Sequence, residues 1–131
     1  MNLNVDDHCF ACGQANPIGL HLVFALTPEG ATAQFTPTPA HQGFVGIVHG
    51  GILSTLMDEA MAQAIIGAGY HAVTARITID FKKPAQVGQP LTVTGKIVEH
   101  KHQLLKATAE IRQAGELTAK ADAAFLISAP C

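Results

Sequence analysis

The sequence predicts an α+β fold in which one antiparallel β-sheet wraps around a single long helix. Residues 50 to about 66 place apolar side chains at helical spacing. From residue 72 onward the apolar period changes to two, in four runs that short turns separate. Strands arranged around one helix are typical of an α+β protein with an antiparallel sheet.

The remaining elements follow from turn residues and short apolar runs. Residues 1–19 are rich in Gly, Pro and Asn and are expected to form an irregular lead-in. The apolar runs 20–26 and 31–35 flank Thr27-Pro28-Glu29-Gly30 and predict an opening hairpin. Further strands are expected at 73–81, 90–99, 103–113 and 117–127. Because no linker or repeat divides the 131 residues, we interpret the chain as one domain.

The predicted central helix carries only two charged residues, Asp58 and Glu59. Most of its circumference must therefore be covered. We interpret Glu59 as part of a solvated or interface face, since Gln63 follows at helical spacing. The whole chain is 48% apolar and only 14% charged, so part of its apolar surface is expected in a subunit interface. The sequence thus predicts a homo-oligomer.

Charge and hydropathy exclude several classes of protein. The net charge of −2 and the scattered Lys and Arg residues do not predict nucleic-acid binding. No apolar stretch is long enough to span a bilayer and the amino terminus does not resemble a signal peptide, so we expect a cytoplasmic protein without a membrane partner. The chain also contains no G-x-S-x-G, glycine-rich phosphate-loop or H-E-x-x-H motif.

Three cysteines give an odd count, which argues against a disulfide framework. Cys9-x-x-Cys12 beside His8 could be half of a zinc site, but zinc prefers four ligands and no second cysteine pair completes them. A local turn is therefore the favoured interpretation, and neither a metal nor another cofactor is expected.

The most informative segment is the loop that enters the helix through His49-Gly50-Gly51. The amide of Gly50 would lie in the first helical turn, where N–H groups lack intrahelical partners and could stabilise an oxyanion. Asp58 lies eight residues further, a rise of roughly 12 Å. If both groups act on one carbonyl carbon, they must come from different subunits. The His49 ring could act as a general base, but an anchor for the loop is the favoured interpretation.

The turn His49-Gly50-Gly51, the helical segment 54–60, Thr74 and Lys83-Pro84-Ala85 together resemble the hotdog-fold thioesterases of the phenylacetate-pathway (PaaI-like) type, over about residues 41–127. The resemblance implies a hotdog fold assembled as dimers and usually tetramers. It also implies hydrolysis of acyl-CoA thioesters without a metal or covalent cofactor. Asp58 then corresponds to the general base or nucleophile, Gly50 to the oxyanion amide, His49 to the neighbouring turn residue, and Thr74 to a hydroxyl that helps to place water.

The chain departs from this family at one position. The family commonly carries Asn or Gln fifteen residues before the carboxylate, where this chain has Gly43, and the adjacent Gln42 is a candidate substitute. Further candidates for substrate binding lie in the helix entry, within the next strand and just after that strand: Gly51, Ser54, Arg76, Lys82 and Lys83. The last three are candidates for the phosphates of CoA. Two alternatives stay open, a hotdog dehydratase and a non-catalytic protein that binds acyl-CoA or aromatic ligands.

Overall fold

A computed structural model describes residues 3–130, with side chains through residue 128, so Met1, Asn2 and Cys131 lie outside it. One antiparallel sheet of six strands has the order β1-β2-β4-β5-β6-β3. Its strands are β1 (Ala25–Thr27), β2 (Gly30–Phe35), β3 (Tyr70–Phe81), β4 (Leu91–Lys101), β5 (Leu104–Gln113) and β6 (Glu116–Pro130). The helix α1 (Gly50–Gly67) packs on this sheet, and a short 3-10 turn (Pro39–His41) precedes it. The predicted arrangement of sheet and helix is confirmed.

Helix α1 forms the centre of the core. Its buried side chains recur at three- and four-residue steps: Leu53, Leu56, Met57, Ala60, Met61, Ala64 and Ile65. The backbone of the helix lies close to β4 at Gly95, where a Cβ atom would lie 2.5 Å from the carbonyl carbon of Ala60. Only glycine leaves room for this backbone contact. None of the helices in residues 3–130 has the length and apolarity needed to cross a membrane.

Strand β3 lies at one edge of the sheet and is paired with β6 alone. Its pattern of alternating residues directs Ile77 and Ile79 towards the helix, and both are half-buried. Thr78, which lies between them, is exposed on the outer face. At twelve residues, β3 offers a long open edge beside α1, whereas the opposite edge strand β1 has only three residues.

The first predicted strand, 20–26, is wrong in most of its length, because the structure has strand only at Ala25–Thr27. The N–H groups of Leu20 and Leu22 instead donate to the carbonyls of Phe10 and Ala11 in the lead-in. Between them His21 has a φ of 54°, which a regular strand cannot accommodate. Pairing with the lead-in has therefore replaced pairing with β2 over these residues, a long-range effect that local periodicity does not contain.

The loop between β3 and β4 is fixed from the core by Gln113. This side chain is 8% exposed, and its amide group makes three hydrogen bonds to the loop backbone. It accepts from the N–H of Gln86 at 2.8 Å and donates to the carbonyls of Gln86 and Gln89 at 3.0 and 3.1 Å. Because both polar atoms of the amide are hydrogen-bonded, burial of this side chain leaves no polar atom without a partner.

Candidate active site

The turn into α1 is built around His49, which is the N-cap residue with φ −61° and ψ 135°. Its Nδ1 atom accepts a hydrogen bond from the Gly51 N–H at 2.8 Å. The backbone N–H of His49 in turn donates to the carbonyl of His41 at 2.9 Å. The ring therefore anchors the loop to the helix, which is the role that the sequence favoured. In this arrangement the proton of the neutral ring lies on Nε2.

The Gly50 N–H has no hydrogen-bond acceptor within residues 3–130. It lies at the start of an 18-residue helix, where the helix dipole adds partial positive charge. Gly50 borders an open cleft of about 770 Å³, a size suited to a small-molecule ligand. The cleft is lined by Gly43, Phe44, Ile47, Val48, His49, Gly50, Leu53, Phe81, Lys82, Lys83, Pro84 and Ala85.

Asp58 lies on the side of α1 that faces the edge strand β3, and its side chain is half-buried. The hydroxyl of Thr74 donates to its Oδ1 atom at 2.6 Å, so the structure brings together two of the predicted catalytic residues. No Lys, Arg or His in the described part of the chain forms an ion pair with Asp58. Asp58 does not line the cleft at Gly50, which agrees with their separation along the helix.

The polar groups of three predicted substrate-binding residues are used within the protein. The Ser54 hydroxyl donates to the Gly50 carbonyl at 2.8 Å, and the Gly51 N–H is held by the His49 ring. The Gln42 carbonyl oxygen accepts from the Gly46 N–H at 3.1 Å. Gln42 therefore stabilises the loop, and it does not line the cleft as Gly43 does.

The three predicted phosphate-binding cations occupy different environments. Lys82 and Lys83 line the cleft, but Lys83 forms an ion pair with Glu116. This neighbouring ammonium group lowers the pKa of the Glu116 carboxyl. Arg76 is an exposed residue of β3 that pairs with Ala124 of β6, and it does not line the cleft. The structure thus places two of the three cations at the cleft.

The loop before α1 is also supported by His41, whose ring packs edge-on against Phe35 with centroids 5.0 Å apart. Its Nδ1 accepts from the Thr38 N–H at 2.9 Å, which closes the cap of the 3-10 turn. Burial lowers the pKa of the His41 ring. Because Nδ1 must stay unprotonated to accept this bond, the cap and the pKa direction agree.

Sequence reasoning missed two sets of residues. Phe44 and Phe81 are 83% and 55% exposed and border the cleft, and the adjacent apolar pair Phe44-Val45 in a glycine-rich loop was the available signal. The second set is Cys9 and Cys12, which the lead-in places beside the half-buried Glu59, with Cys9 Sγ 4.0 Å from its Oε1. Proximity to residues fifty positions away has no local signature. The interpretation of Glu59 as part of a solvated or interface face stays a prediction.

The chain and its fold match known proteins. A family model described as the thioesterase superfamily matches residues 45–120, more than half of the chain. The chain belongs to the thioesterase superfamily. It is 35% identical over 92 residues to the acyl-coenzyme A thioesterase PaaI of Escherichia coli, which covers 66% of this chain and 60% of that protein. The chain thus spans less than two thirds of the length of this relative.

Solved structures give the same fold. The Escherichia coli PaaI protein from the phenylacetic acid degradation operon has a TM-score of 0.78 at 27% identity, covering 85% of this chain and 82% of that one. A hypothetical thioesterase from Streptococcus pneumoniae, solved with coenzyme A, has a TM-score of 0.79 at 20% identity, covering 83% and 90%. The predicted hotdog fold and the PaaI-like resemblance are confirmed.

Proposed function

We propose that this protein hydrolyses acyl-CoA thioesters to a free acid and CoA, at a site that two copies of the chain share. The observation that carries the proposal is the Asp58 carboxylate, held by the Thr74 hydroxyl on a helix whose only other charged residue is Glu59. The name of the PaaI relative supports the choice of acyl-CoA as substrate class.

The environment of Asp58 suits a reacting carboxylate. A structural carboxylate on a covered helix normally has a cation or several N–H donors, because burial of an unpaired charge is costly. Asp58 has one hydroxyl donor at Oδ1 and no ion pair within residues 3–130. Its second oxygen can therefore take a proton from water or attack the acyl carbon itself. Either route ends with release of the CoA thiolate and uptake of one water molecule.

The cleft at Gly50 suits the other half of the reaction. The unpaired Gly50 N–H at the helix start can donate to the carbonyl oxygen, whose negative charge grows as the thioester is attacked. Phe44 and Phe81 supply apolar surface beside it, and Lys82 supplies a cation for a CoA phosphate. His49 keeps the turn in place and is proposed as a positioning residue.

A second copy of the chain would bring these halves together. Asp58 lies next to β3, whose long open edge offers unpaired backbone groups to another strand. A two-fold axis beside this edge would set Asp58 of one copy near Gly50 of the other, and the dimer would then contain two equivalent sites. The exposed apolar residues at the cleft would become less exposed to solvent in such a dimer. Further assembly to a tetramer is part of the proposal.

The first experiment is a measurement of free CoA thiol during incubation with short, medium, long and aromatic acyl-CoAs, together with the mass of the oligomer. We expect hydrolysis of at least one class by a dimer or larger species. Tight binding without thiol release from any substrate would instead support a ligand-binding protein. A monomer that turns over acyl-CoA would contradict the shared site.

The second experiment assigns the two halves to subunits. Gly50→Pro removes the N–H at the first helical position, where proline is favoured, and His49 already has the extended backbone that precedes proline. The added ring begins at a Cβ that would meet Phe81 at an ordinary contact distance of 3.5 Å. Gly50→Pro and Asp58→Asn homodimers should both be inactive. A mixture of the two should regain about a quarter of wild-type activity per chain, since half of the dimers then hold one intact site. An inactive mixture that contains heterodimers would show that both groups act within one chain.

A further inference from the structure

The lead-in folds into a compact turn around Cys9 and Cys12. The Gly13 N–H donates to the Cys9 carbonyl at 2.8 Å, and the Cys12 N–H donates to Cys9 Sγ at 3.5 Å. Gly13 is buried, and a Cβ atom there would lie 2.4 Å from the Cys9 backbone nitrogen. The turn therefore requires glycine directly after the second cysteine, and it directs both thiol groups to one point.

The lead-in places these thiol groups against the middle of α1. Cys9 Sγ lies 4.0 Å from Glu59 Oε1, and the ligand atoms of Cys9, Cys12 and Glu59 all lie within 4.8 Å of one another. Gln63, one helical turn later, donates to the other carboxylate oxygen, Oε2, at 2.8 Å. Its amide thus holds one oxygen of Glu59 and leaves the second oxygen facing the cysteines.

These distances are close to those of a zinc site. With Zn–S bonds of about 2.3 Å and Zn–O bonds of about 2.0 Å, tetrahedral geometry sets ligand atoms roughly 3.3–3.8 Å apart. The observed spacings, at most 4.8 Å, need to shorten by up to about 1.5 Å, which rotation of the side chains can supply. Paired thiolates select zinc over magnesium or calcium. A carboxylate oriented by a second hydrogen-bonding group is the usual support for a metal ligand.

We propose that Cys9, Cys12 and Glu59 bind one zinc ion per chain, with Gln63 orienting Glu59 and solvent in the fourth position. The missing second cysteine pair, which argued against a metal in the sequence, is replaced by a helix residue fifty positions away. The ion would fasten the lead-in to α1 beside Asp58. It is distinct from the acyl-CoA site, whose residues face β3 and the cleft.

The test uses the full-length reduced protein with Co²⁺ as a spectroscopic substitute for zinc. We expect one equivalent of Co²⁺ per chain, a thiolate-to-cobalt charge-transfer band, and displacement of Co²⁺ by added Zn²⁺. Cys9→Ser and Cys12→Ser should lose the band. Gln63→Leu should keep it but weaken zinc affinity by about 10–100-fold, as for other groups that orient metal ligands. Cys131→Ser, which removes the third thiol, should leave the titration unchanged.

Glu59→Gln separates this site from a simple dithiol chelate. We expect its zinc affinity to fall by at least the same factor as in Gln63→Leu, because a neutral amide replaces a charged ligand. Circular dichroism of each variant checks that it is folded. The proposal is overturned if folded wild-type protein shows no charge-transfer band, or if Glu59→Gln binds zinc as tightly as wild type. Formation of a Cys9–Cys12 disulfide in place of metal uptake, with reductant present, would also overturn it.

Discussion

Replacement of Asp58 by Asn gives the sharpest test of the catalytic assignment. The amide has nearly the same shape, and its Oδ1 can still accept from the Thr74 hydroxyl that donates at 2.6 Å. A purely structural carboxylate would therefore lose part of one hydrogen bond, about 1 kcal/mol, which corresponds to roughly fivefold in rate at most. A lost general base costs about 10²–10⁴-fold, or roughly 3–5 kcal/mol of transition-state stabilisation.

The two interpretations differ by more than a factor of ten and can be separated by steady-state kinetics. Thiol release should be measured for Asp58→Asn at saturating acyl-CoA, beside oligomer mass and urea unfolding. Asp122→Asn, an exposed carboxylate opposite Thr108 on the sheet, is the matched control and should keep wild-type kcat. A kcat within tenfold of wild type for a folded Asp58→Asn oligomer would refute the assignment.

Three further predictions concern the loop and the core. Gly43→Asn should raise kcat by up to about tenfold in the thiol-release assay, because the added amide can hold water. The side chain can be accommodated, since a Cβ at this position would meet its neighbours only at 3.5 Å or more. An unchanged or lower kcat would contradict this prediction. The lowered pKa of His41 means that its stabilising effect is present above the unfolded pKa near 6.5 and is lost as pH falls towards the folded pKa. His41→Asn keeps an acceptor for the Thr38 N–H but does not titrate. In urea melts, the free energy of unfolding of this variant should therefore fall less between neutral pH and about pH 5 than that of wild type. An equal dependence on pH in both proteins would contradict the role of His41 in the cap. Gly95→Ala should lower the free energy of unfolding by about 1–3 kcal/mol or more, because its Cβ would meet the Ala60 backbone at 2.5 Å. An unchanged free energy of unfolding in urea melts would show that the helix can move away from β4 without cost.

The sequence predicted the central helix and the last four strands because their apolar periods are long and uninterrupted. The start of α1 at Gly50 agrees with the prediction, and its end at Gly67 lies one residue beyond it. The pairing of Asp58 with Thr74 was expected only through the family resemblance, since these residues are sixteen positions apart on different elements. Local pattern could not predict that Leu20 and Leu22 bond to the lead-in, or that Cys9 and Cys12 lie beside Glu59. Both arrangements depend on contacts between distant segments, which leave no period in the chain.

The anchoring of the β3–β4 loop by Gln113 has a consequence for how fast a ligand binds. Lys83, Pro84 and Ala85, which line the cleft, directly precede the backbone that the three amide hydrogen bonds hold. A wall fixed before binding loses little conformational entropy when a ligand arrives, whereas ordering a free loop residue costs roughly 1–2 kcal/mol of backbone entropy. Association should then be governed by diffusion and by charge at Lys82, without a slow loop-closing phase in stopped-flow traces.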